Sequence, residues 1–322
     1  MKLPQRIAAL AVFAGAGIPA TLMAQAYPIK SIRVLVGFTP GAGMDIAVRL
    51  VVPKMGEVLG QQIIIDNRPG AGGNLAAEMT AKAPADGYTL LTSGAPAAIA
   101  QSLYPKLGYD LLRDLEAVAL IASAAQLLVV HPSLPAKTLK ALVAFGKGAR
   151  SELTYATTGA GSTPHLSAEM FRMQSGIRIL HVPYRGTPPA MTDLVAGNVT
   201  FMFANLLSVI PQVQQGRLRA IAITSTRRSP ITPDVPCVAE TYPGFESGSW
   251  YALFTPAGTS RDTITRLHDA VSKALQSEDV RSKMLAQGAE LLTGSQQDAQ
   301  AYTRAETVKW ARVVKASGAK AD

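Results

Sequence analysis

The chain has 322 residues, 48% of them hydrophobic, and carries a formal net charge of +9 at pH 7. A chain of this length buries a sizeable core and commonly divides into two domains, while its single cysteine, Cys237, excludes an intrachain disulfide. The basic residues are scattered, with Arg227-Arg228 as the only adjacent pair, so the basic stripe of a nucleic-acid-binding protein is missing and no nucleic-acid partner is expected.

Residues 1–26 have the pattern of a cleavable export signal. Lys2 and Arg6 give a basic start, residues 7–23 are apolar, and an Ala-Gln-Ala triplet at 24–26 is typical of a cleavage site. We therefore predict cleavage after about Ala26 and a periplasmic location for the mature chain. An uncleaved membrane anchor is the alternative. Beyond this segment there is no run of about 20 apolar residues, so we expect no transmembrane span in the mature chain.

Apolar strand-like runs alternate with helical patterns along the rest of the chain, which predicts an α/β fold with mostly parallel sheets. Pro53 falls inside the first helical pattern, where we expect a kink or a break because proline lacks the N–H that a helix uses. The predicted strands are 32–36, 63–66, 88–92, 118–122, 127–131, 153–157, 178–182, 199–203, 220–224 and 249–255. Helices are predicted from about 46, over 75–82, 137–146 and 165–173, from 187 and from 260, and over 295–315.

The C-terminal helix must pack on a neighbouring element, and the first half of the chain is one candidate. This arrangement makes the first domain discontinuous. We predict domain 1 from residues 27–122 plus 250–322 and domain 2 from residues 123–249. The chain would then cross between the domains near 121–128 and again near 245–252.

The stretch 37–45, Gly-Phe-Thr-Pro-Gly-Ala-Gly-Met-Asp, joins a predicted strand to a predicted helix. The first backbone N–H groups of a helix have no internal partner, and the helix dipole adds partial positive charge, so this loop favours an anion. Gly41 and Gly43 lack a Cβ and let the amides approach a guest closely. A nucleotide is not favoured, since neither a third Rossmann glycine nor a Gly-Lys-Ser/Thr ending follows. The alternative is an ordinary tight turn capped by Asp45.

A second stretch, 157–165, repeats this arrangement with Thr-Thr-Gly-Ala-Gly-Ser-Thr-Pro-His. Ser162 or Thr163 can cap the next helix, and Pro164 suits its first turn. Two such loops, one in each domain, can face each other across a cleft and hold one carboxylate through free backbone amides. Two ordinary capped turns are the alternative.

Several side chains suggest other functions that the sequence does not support. Ser162 and His165 suggest a hydrolase, but the Gly-x-Ser-x-Gly elbow is absent and their spacing at a helix start is poor for a nucleophile and its base. The four histidines show no metal-ligand spacing, and nothing marks Cys237 as reactive. Arg185 follows a predicted strand and is either a carboxylate partner or a plain surface residue.

In their order along the chain, several motifs resemble the substrate-binding proteins of tripartite tricarboxylate transporters, the Bug-type extracytoplasmic receptors. The resemblance covers essentially all of the mature chain. It rests on Tyr-Pro at 27–28, the glycine loop at 37–45, Asp-Asn-Arg-Pro-Gly-Ala-Gly-Gly-Asn at 66–74, Ala-Asp-Gly-Tyr-Thr-Leu-Leu at 85–91, Gly-Ala-Gly-Ser at 159–162 with His165, Val-Pro-Tyr-Arg-Gly at 182–186, Thr-Asp-Leu at 192–194 and Pro-Ala-Gly-Thr at 256–259.

The resemblance implies a two-domain type II periplasmic-binding fold, with mixed sheets, helices on both faces and a ligand cleft between the domains. It implies a periplasmic receptor, not an enzyme, that needs no cofactor or metal and delivers a small organic acid to membrane permease subunits. The ligand would be a di- or tricarboxylate or an amino acid. By matching position the cleft would be lined by Phe38, Gly41, Ala42, Gly43, Met44, Asp45, Ser93, Gly159, Ser162 and Thr163, and Arg185 and Asn205 would read the far end of the ligand.

The chain departs from the usual pattern of this family at four positions. Thr39 replaces a common proline and Met44 a common threonine, while Ala100 and Ala204 stand where asparagine and aspartate are frequent. Met44 and Ala204 make the cleft less polar than the resemblance implies, which leaves the ligand open. Two other functions also stay open: a ligand sensor for a membrane signalling kinase, and a secreted hydrolase that uses Ser162.

Overall fold

The computed structural model describes residues 27–321, which form a mixed α/β fold. The predicted export signal, residues 1–26, lies outside the described residues. Within residues 27–321, none of the helices combines the length and the apolar character that a membrane span requires. The strands are β1 Ile32–Val36, β2 Ile63–Asn67, β3 Thr89–Gly94, β4 Leu115–Val130, β5 Leu153–Thr157, β6 Ile179–Pro183, β7 Phe201–Asn205, β8 Arg219–Ile223, β9 Gly248–Pro256 and β10 Ala289–Leu291. The α-helices are α1 Gly43–Leu59, α2 Asn74–Ala81, α3 Ala95–Leu103, α4 Leu139–Gly148, α5 Thr163–Ser175, α6 Thr187–Val195, α7 Leu206–Gln214, α8 Arg261–Gln276, α9 Glu278–Ala286 and α10 Gln296–Ser317.

The strands follow the order β2-β1-β3-β9-β4-β7-β5-β6, and β8 and β10 also pair with β4. β1 pairs in parallel with β2 and β3, and β5 pairs in parallel with β6 and β7. β4 and β9 run antiparallel to their neighbours, so the centre of the sheet departs from the predicted parallel pairing. Since helices follow the parallel strands directly, their amino ends collect at the carboxyl edge of each parallel group.

The longest strand, β4, corrects the prediction of two separate strands on either side of residues 123–126. It runs unbroken for 16 residues. Its first part pairs with β9 as far as Ala125 opposite Gly248, and its last part pairs with β7 from Gln126 opposite Asn205. Gln126 stays in the strand because its N–H donates to Thr224 Oγ1 (2.9 Å) and its carbonyl accepts from the Thr224 N–H (3.0 Å).

This change of partners along β4 divides the fold into two lobes. The first lobe comprises β1–β3, β9, β10 and the first part of β4, with α1–α3 and α8–α10. The second lobe comprises β5–β8 and the rest of β4, with α4–α7. Apolar clusters lie on both faces of the sheet in each lobe, which agrees with the predicted two-domain architecture with helices on both faces. The bounds that we predicted for the domains stay a prediction, which the exchange of partners in β4 favours.

The helix α1 continues through Pro53 to Leu59, so the expected break does not occur. Proline removes one backbone hydrogen bond, but the neighbouring Val51, Val52 and Met55 are buried in a cluster that α1 shares with α8. Packing of the helix on its neighbours therefore outweighs the local preference. The continuity of α1 matters because its amino end carries the first glycine loop.

The C-terminal helix α10 packs on the first lobe. Trp310 is fully buried in an apolar cluster with Phe254 of β9, and its indole Nε1 donates to Glu306 Oε2 at 2.9 Å. At its carboxyl end α10 also contacts the second lobe, where Arg172 Nη2 of α5 donates to the Ser317 carbonyl at 3.0 Å. The last helix thus completes the core of the first lobe and touches the helix that carries the second glycine loop.

We expect Trp310→Ala to lower the free energy of unfolding by about 3–5 kcal/mol, because it opens a cavity in the core and leaves Glu306 without its indole donor. Chemical denaturation followed by circular dichroism measures the change. Val308→Ala is the control, since Val308 lies on the same helix and is 50% exposed. A loss in the Trp310 variant no larger than in the control would contradict the packing described for α10.

Candidate functional site

Five helices begin at one small cavity in the cleft between the lobes. α1 and α3 follow β1 and β3, and α5, α6 and α7 follow β5, β6 and β7. Residues at the amino ends of all five helices line a cavity of about 40 Å³, which we call the inner cavity. Its lining comprises Phe38, Ala42, Gly43, Met44, Pro96, Thr158, Ser162, Thr163, Pro164, Thr187, Met202, Asn205, Ser208, Ser249 and Tyr251.

Four of these five helices begin without a side-chain cap, namely α1, α3, α5 and α6. By contrast, α4, α8 and α10 begin elsewhere and have capping side chains that accept a hydrogen bond from a backbone N–H of the first turn. These caps are Thr138, Ser260 and Ser295 respectively. The uncapped ends leave backbone N–H groups and partial positive charge at the inner cavity. This arrangement favours an anion there.

The first glycine loop presents backbone donors to the inner cavity. Its N-cap residue, Ala42, is extended, with ψ of 152°. Gly41, at φ +81°, directs its N–H onto Asp45 Oδ2 at 2.9 Å. The N–H groups of Gly43 and Met44 have no hydrogen-bond acceptor among the described residues, and both residues line the inner cavity. These two N–H groups are therefore available to a guest.

Asp45 supports this loop with its side chain. It is 1% exposed, and its carboxylate accepts hydrogen bonds from Arg49 Nε (2.8 Å), Asn67 Nδ2 (2.8 Å) and the Gly41 N–H. Burial alone would raise the pKa of Asp45, but these hydrogen bonds outweigh burial and lower its pKa. The charged carboxylate is thus committed to the loop itself, and Asp45 lies outside the lining of the inner cavity, where we had expected it.

The second glycine loop has the same design at the amino end of α5. Gly159 and Gly161 have positive φ of +122° and +76°, and Ser162 Oγ donates to the Gly159 carbonyl at 2.6 Å. The Gly161 N–H donates to His165 Nδ1 at 3.2 Å, and the His165 ring stacks on the His181 ring with 4.4 Å between centroids. The serine hydroxyl is directed at the backbone and the histidine at the loop. The pair therefore does not have the nucleophile-to-base hydrogen bond that a hydrolase needs.

A larger cavity of about 600 Å³ lies between the lobes next to the inner cavity, and we call it the vestibule. Phe38 and Thr158 line both cavities, so the two are adjacent. The vestibule is lined by Gly37, Phe38, Thr39, Pro69, Gly70, Ala71, Gly72, Gly73, Tyr104, Thr158, Gly159, Ala160, Pro183, Tyr184, Arg185 and Gly186.

Few charged side chains line the cleft. None of the residues that line the inner cavity is charged, and Arg185 is the one charged residue in the lining of the vestibule. The positive character of the inner cavity therefore comes from backbone dipoles. Among residues 27–321, no group of three or more histidine, cysteine, aspartate or glutamate side chains is arranged to hold a metal ion.

The structure brings most of the predicted site residues together. The inner cavity has Phe38, Ala42, Gly43, Met44, Ser162, Thr163 and Asn205 in its lining, and the vestibule has Phe38, Gly159 and Arg185. Gly41, Asp45 and Ser93 line neither cavity. Gly41 is exposed at the turn, and Ser93 is buried in β3 opposite Ala252 of β9.

Several lining residues were missed by the sequence analysis. Pro96 lies in the first turn of α3, and Thr187 is the first residue of α6. Both could have been predicted from the rule that ligands bind at the carboxyl ends of parallel strands. Met202 lies on β7, and Ser249 and Tyr251 lie on β9. No local motif marks these three, because only the pairing of distant strands brings them to the cleft.

The two lobes touch across the cleft, so the structure is a closed form. The Tyr104 hydroxyl donates to the Ala160 carbonyl at 3.2 Å, and Asn205 Nδ2 donates to the Tyr251 hydroxyl at 2.7 Å. A Cβ at Gly43 would overlap Asn205 Oδ1, so this close approach of the lobes requires glycine. Burial raises the pKa of Tyr251, which keeps its hydroxyl protonated.

Family and sequence comparisons agree with this geometry. Residues 47–319 match the model of a family described as tripartite tricarboxylate transporter family receptor. The chain is 37% identical to protein BugT of Bordetella pertussis over 324 residues, which covers 99% of each chain.

Solved periplasmic binding proteins share the fold. The structure of Rpa4515 of R. palustris with adipate superposes with a TM-score of 0.88 at 36% identity, and the match covers 92% of this chain and 100% of that one. MatC of Rhodopseudomonas palustris with bound malate superposes with a TM-score of 0.86 at 33% identity, and the match covers 89% of this chain and 100% of that one. The predicted two-domain type II periplasmic-binding fold is therefore confirmed.

We expect Asp45→Asn to lower the free energy of unfolding at pH 7 by about 1–3 kcal/mol, because the charged carboxylate accepts hydrogen bonds from three residues that shape the first glycine loop. The pKa of Asp45 in the folded state lies below its ordinary value of 3.8. Its contribution is therefore complete above that value and is lost as the pH falls through the lower, folded-state pKa.

Urea unfolding of the variant and the wild type at pH 7 and at about pH 3 measures this difference. The control is Asp279→Asn, whose carboxylate pairs with Lys283 on the surface, with 69% of the aspartate side chain exposed. A difference for Asp45→Asn that stays constant or grows in acid, or that equals the control, would contradict the role assigned to the carboxylate.

Proposed function

This chain belongs to the tripartite tricarboxylate transporter receptor family and is a solute-binding receptor, and from that premise we propose that it captures a small carboxylate through its two glycine loops and delivers it to a membrane transporter. The family is one of receptors rather than enzymes. One observation carries the proposal: the amino ends of five helices converge on the inner cavity.

Converging helix ends suit a carboxylate energetically. Each helix amino end stabilises an adjacent anion by about 0.3–1 kcal/mol at an exposed site, and by more where the anion is partly buried. Hydrogen bonds from N–H groups to a charged carboxylate are also stronger than those between neutral groups. Because the strands fix the donors in place, little conformational entropy is lost when the ligand binds.

The donors come from both lobes. Gly43 and Met44 supply N–H groups from α1, and Thr163 supplies one from α5 that likewise has no acceptor among residues 27–321. These groups bind the two oxygens of one carboxylate. Asn205, at the amino end of α7, completes the lining there, and its side chain is held by the Tyr251 hydroxyl and the Leu207 N–H.

The remaining predicted site residues act around this carboxylate. Ala42 and Ser162 precede the first turns of α1 and α5 and set their start. Phe38 lies where the inner cavity meets the vestibule. In the vestibule, Gly159 and Arg185 receive the far end of the ligand. The last three residues have supporting roles away from the ligand: Gly41, Asp45 and Ser93.

The closed form is stabilised by the ligand, because one carboxylate contacts α1 of the first lobe and α5 of the second. The adjacent strands β4 and β9 connect the lobes and act as the hinge. An attraction that exists only when the lobes meet shifts the population toward the closed form. The membrane transporter then receives the closed, loaded receptor.

The relatives support a small carboxylate as the ligand and the periplasm as the location. The structures of Rpa4515 and MatC are described with adipate and malate respectively. Solved proteins with this fold include periplasmic binding proteins. An export signal cleaved after about Ala26 would release the mature chain there, and membrane permease subunits are its proposed partners.

A thermal-shift screen of mono-, di- and tricarboxylates tests the proposal, and Gly43→Asp tests the assigned site. A ligand that binds only the folded chain adds about 2.7 kcal/mol of stability at 100 times its Kd and raises the Tm. We expect Gly43→Asp to weaken the binding of any acid found in the screen by at least about 100-fold. The added side chain overlaps Asn205 across the cleft and places a negative charge against the carboxylate.

Gly148→Asp is the matched control, since Gly148 is exposed and a Cβ there has no atom within 4 Å. Circular dichroism shows whether each variant is folded. A Tm that no carboxylate raises would contradict the proposed function. A folded Gly43→Asp receptor with the Kd of the wild type would contradict the assigned site.

A further inference from the structure

The inner cavity combines backbone donors with apolar side chains. Met44 of α1 lines it from the first lobe and Met202 of β7 from the second, and Phe38, Pro96 and Pro164 add further apolar residues to the lining. None of these side chains can donate a hydrogen bond to a substituent on the ligand. A polar substituent held against them would lose its water without gaining a partner.

Several polar side chains in the inner cavity are already occupied by the protein. The Asn205 amide donates to the Tyr251 hydroxyl and accepts from a backbone N–H of α7. The hydroxyls of Ser162 and Ser208 donate to backbone carbonyls at 2.6 and 2.9 Å. The hydroxyl of Ser249 hydrogen bonds with that of Tyr251. Thr158, Thr163 and Thr187 also line the inner cavity, and we assign their hydroxyls to the donors for the carboxylate itself.

An ammonium group has no counter-charge in either cavity. No aspartate or glutamate lines the inner cavity or the vestibule. Asp45 follows Met44 in the sequence, but its carboxylate is held by Arg49 and Asn67. A buried cation without a partner is costly, so the site disfavours amino acids.

The vestibule offers one cation. Arg185 is exposed and makes no ion pair or hydrogen bond with any residue in 27–321. Its guanidinium can bind a second carboxylate with two parallel hydrogen bonds. A third carboxylate would have no cationic partner in either cavity, so the site disfavours tricarboxylates.

We infer that the receptor selects linear dicarboxylates whose chain carbons are unsubstituted, with Met44 and Met202 as the residues that discriminate against hydroxyl and amino substituents. The inference rests on the proposed function and narrows its ligand. Met44 lines the inner cavity and its N–H is one of the proposed donors for the inner carboxylate, so its side chain is the apolar surface assigned to the ligand carbons next to that group. Family membership does not decide the question, since relatives of similar identity are described with unsubstituted adipate and with hydroxylated malate.

Two matched sets of acids test the inference on the purified mature receptor by isothermal titration calorimetry. Succinate, malate and aspartate differ by one substituent, and so do glutarate, 2-hydroxyglutarate and glutamate. We expect the unsubstituted acid of a set to bind at least about tenfold more tightly than its hydroxylated form, because a buried hydroxyl without a partner is unfavourable. The amino acids and citrate should bind more weakly still.

The outcomes separate the inference from the proposed function. If malate or 2-hydroxyglutarate binds as tightly as its unsubstituted counterpart, the inference is overturned and the proposed carboxylate site is not. Preferred binding of the amino acids or of citrate has the same two consequences. A receptor that binds none of these acids, nor any acid in the wider screen, overturns both.

Met44→Thr tests the specificity residue directly, because threonine offers a hydroxyl where methionine offers none. We expect the preference for succinate over malate, or for glutarate over 2-hydroxyglutarate, to fall by about tenfold or more. Met173→Thr is the matched control, since Met173 lies on α5, is 46% exposed and lines neither cavity. An unchanged preference in a folded Met44→Thr receptor overturns the role of Met44, and the wild-type series stays decisive if that variant does not fold.

Discussion

The site depends on a constraint that every helix obeys: the first backbone N–H groups have no acceptor within the helix itself. Away from the cleft, three helices of this fold meet the constraint with a capping side chain: Thr138 for α4, Ser260 for α8 and Ser295 for α10. At the inner cavity α1, α3, α5 and α6 lack such caps, and parallel strands bring their amino ends to one point. Backbone N–H groups that lack an acceptor are thereby brought together around a volume that a single carboxylate group can fill.

Side chains and backbone have separate tasks in the two loops. In the first loop the Asp45 carboxylate holds Gly41, Arg49 and Asn67, and in the second the His165 ring accepts from the Gly161 N–H. These contacts shape the loops and leave backbone amides directed at the cleft. Under the proposed function, such a site would recognise a carboxylate in the same way whatever chain it carries. Receptors of this fold are described with acids as different as adipate and malate, which agrees with a common carboxylate site and variable surroundings.

The sequence was sufficient to predict the features that are local in the chain. Each glycine loop sits between a strand and a helix, and the predicted helix starts at about 46 and 165 lie within three residues of the observed starts at Gly43 and Thr163. The role of Asp45 could not be predicted in this way, because its partner Asn67 approaches only through the pairing of β1 with β2. The continuity of β4 was missed for a related reason: residues 123–126 would end an isolated strand, but β9 and β7 pair with them in the fold. Tyr251 reaches the cleft through that same antiparallel pairing.

The position of β9 between β3 and β4 also bears on the order in which the molecule can fold. Strands β1–β3 are synthesised early, yet β3 obtains its second neighbour only when residues 248–256 exist, and the core beside it is complete only with Trp310. The second lobe, by contrast, is assembled from one continuous stretch between β4 and β8. Contacts between residues this far apart in sequence form slowly. The first lobe therefore completes its core only when the last helix of the chain is available, so the topology itself delays its folding until synthesis is finished.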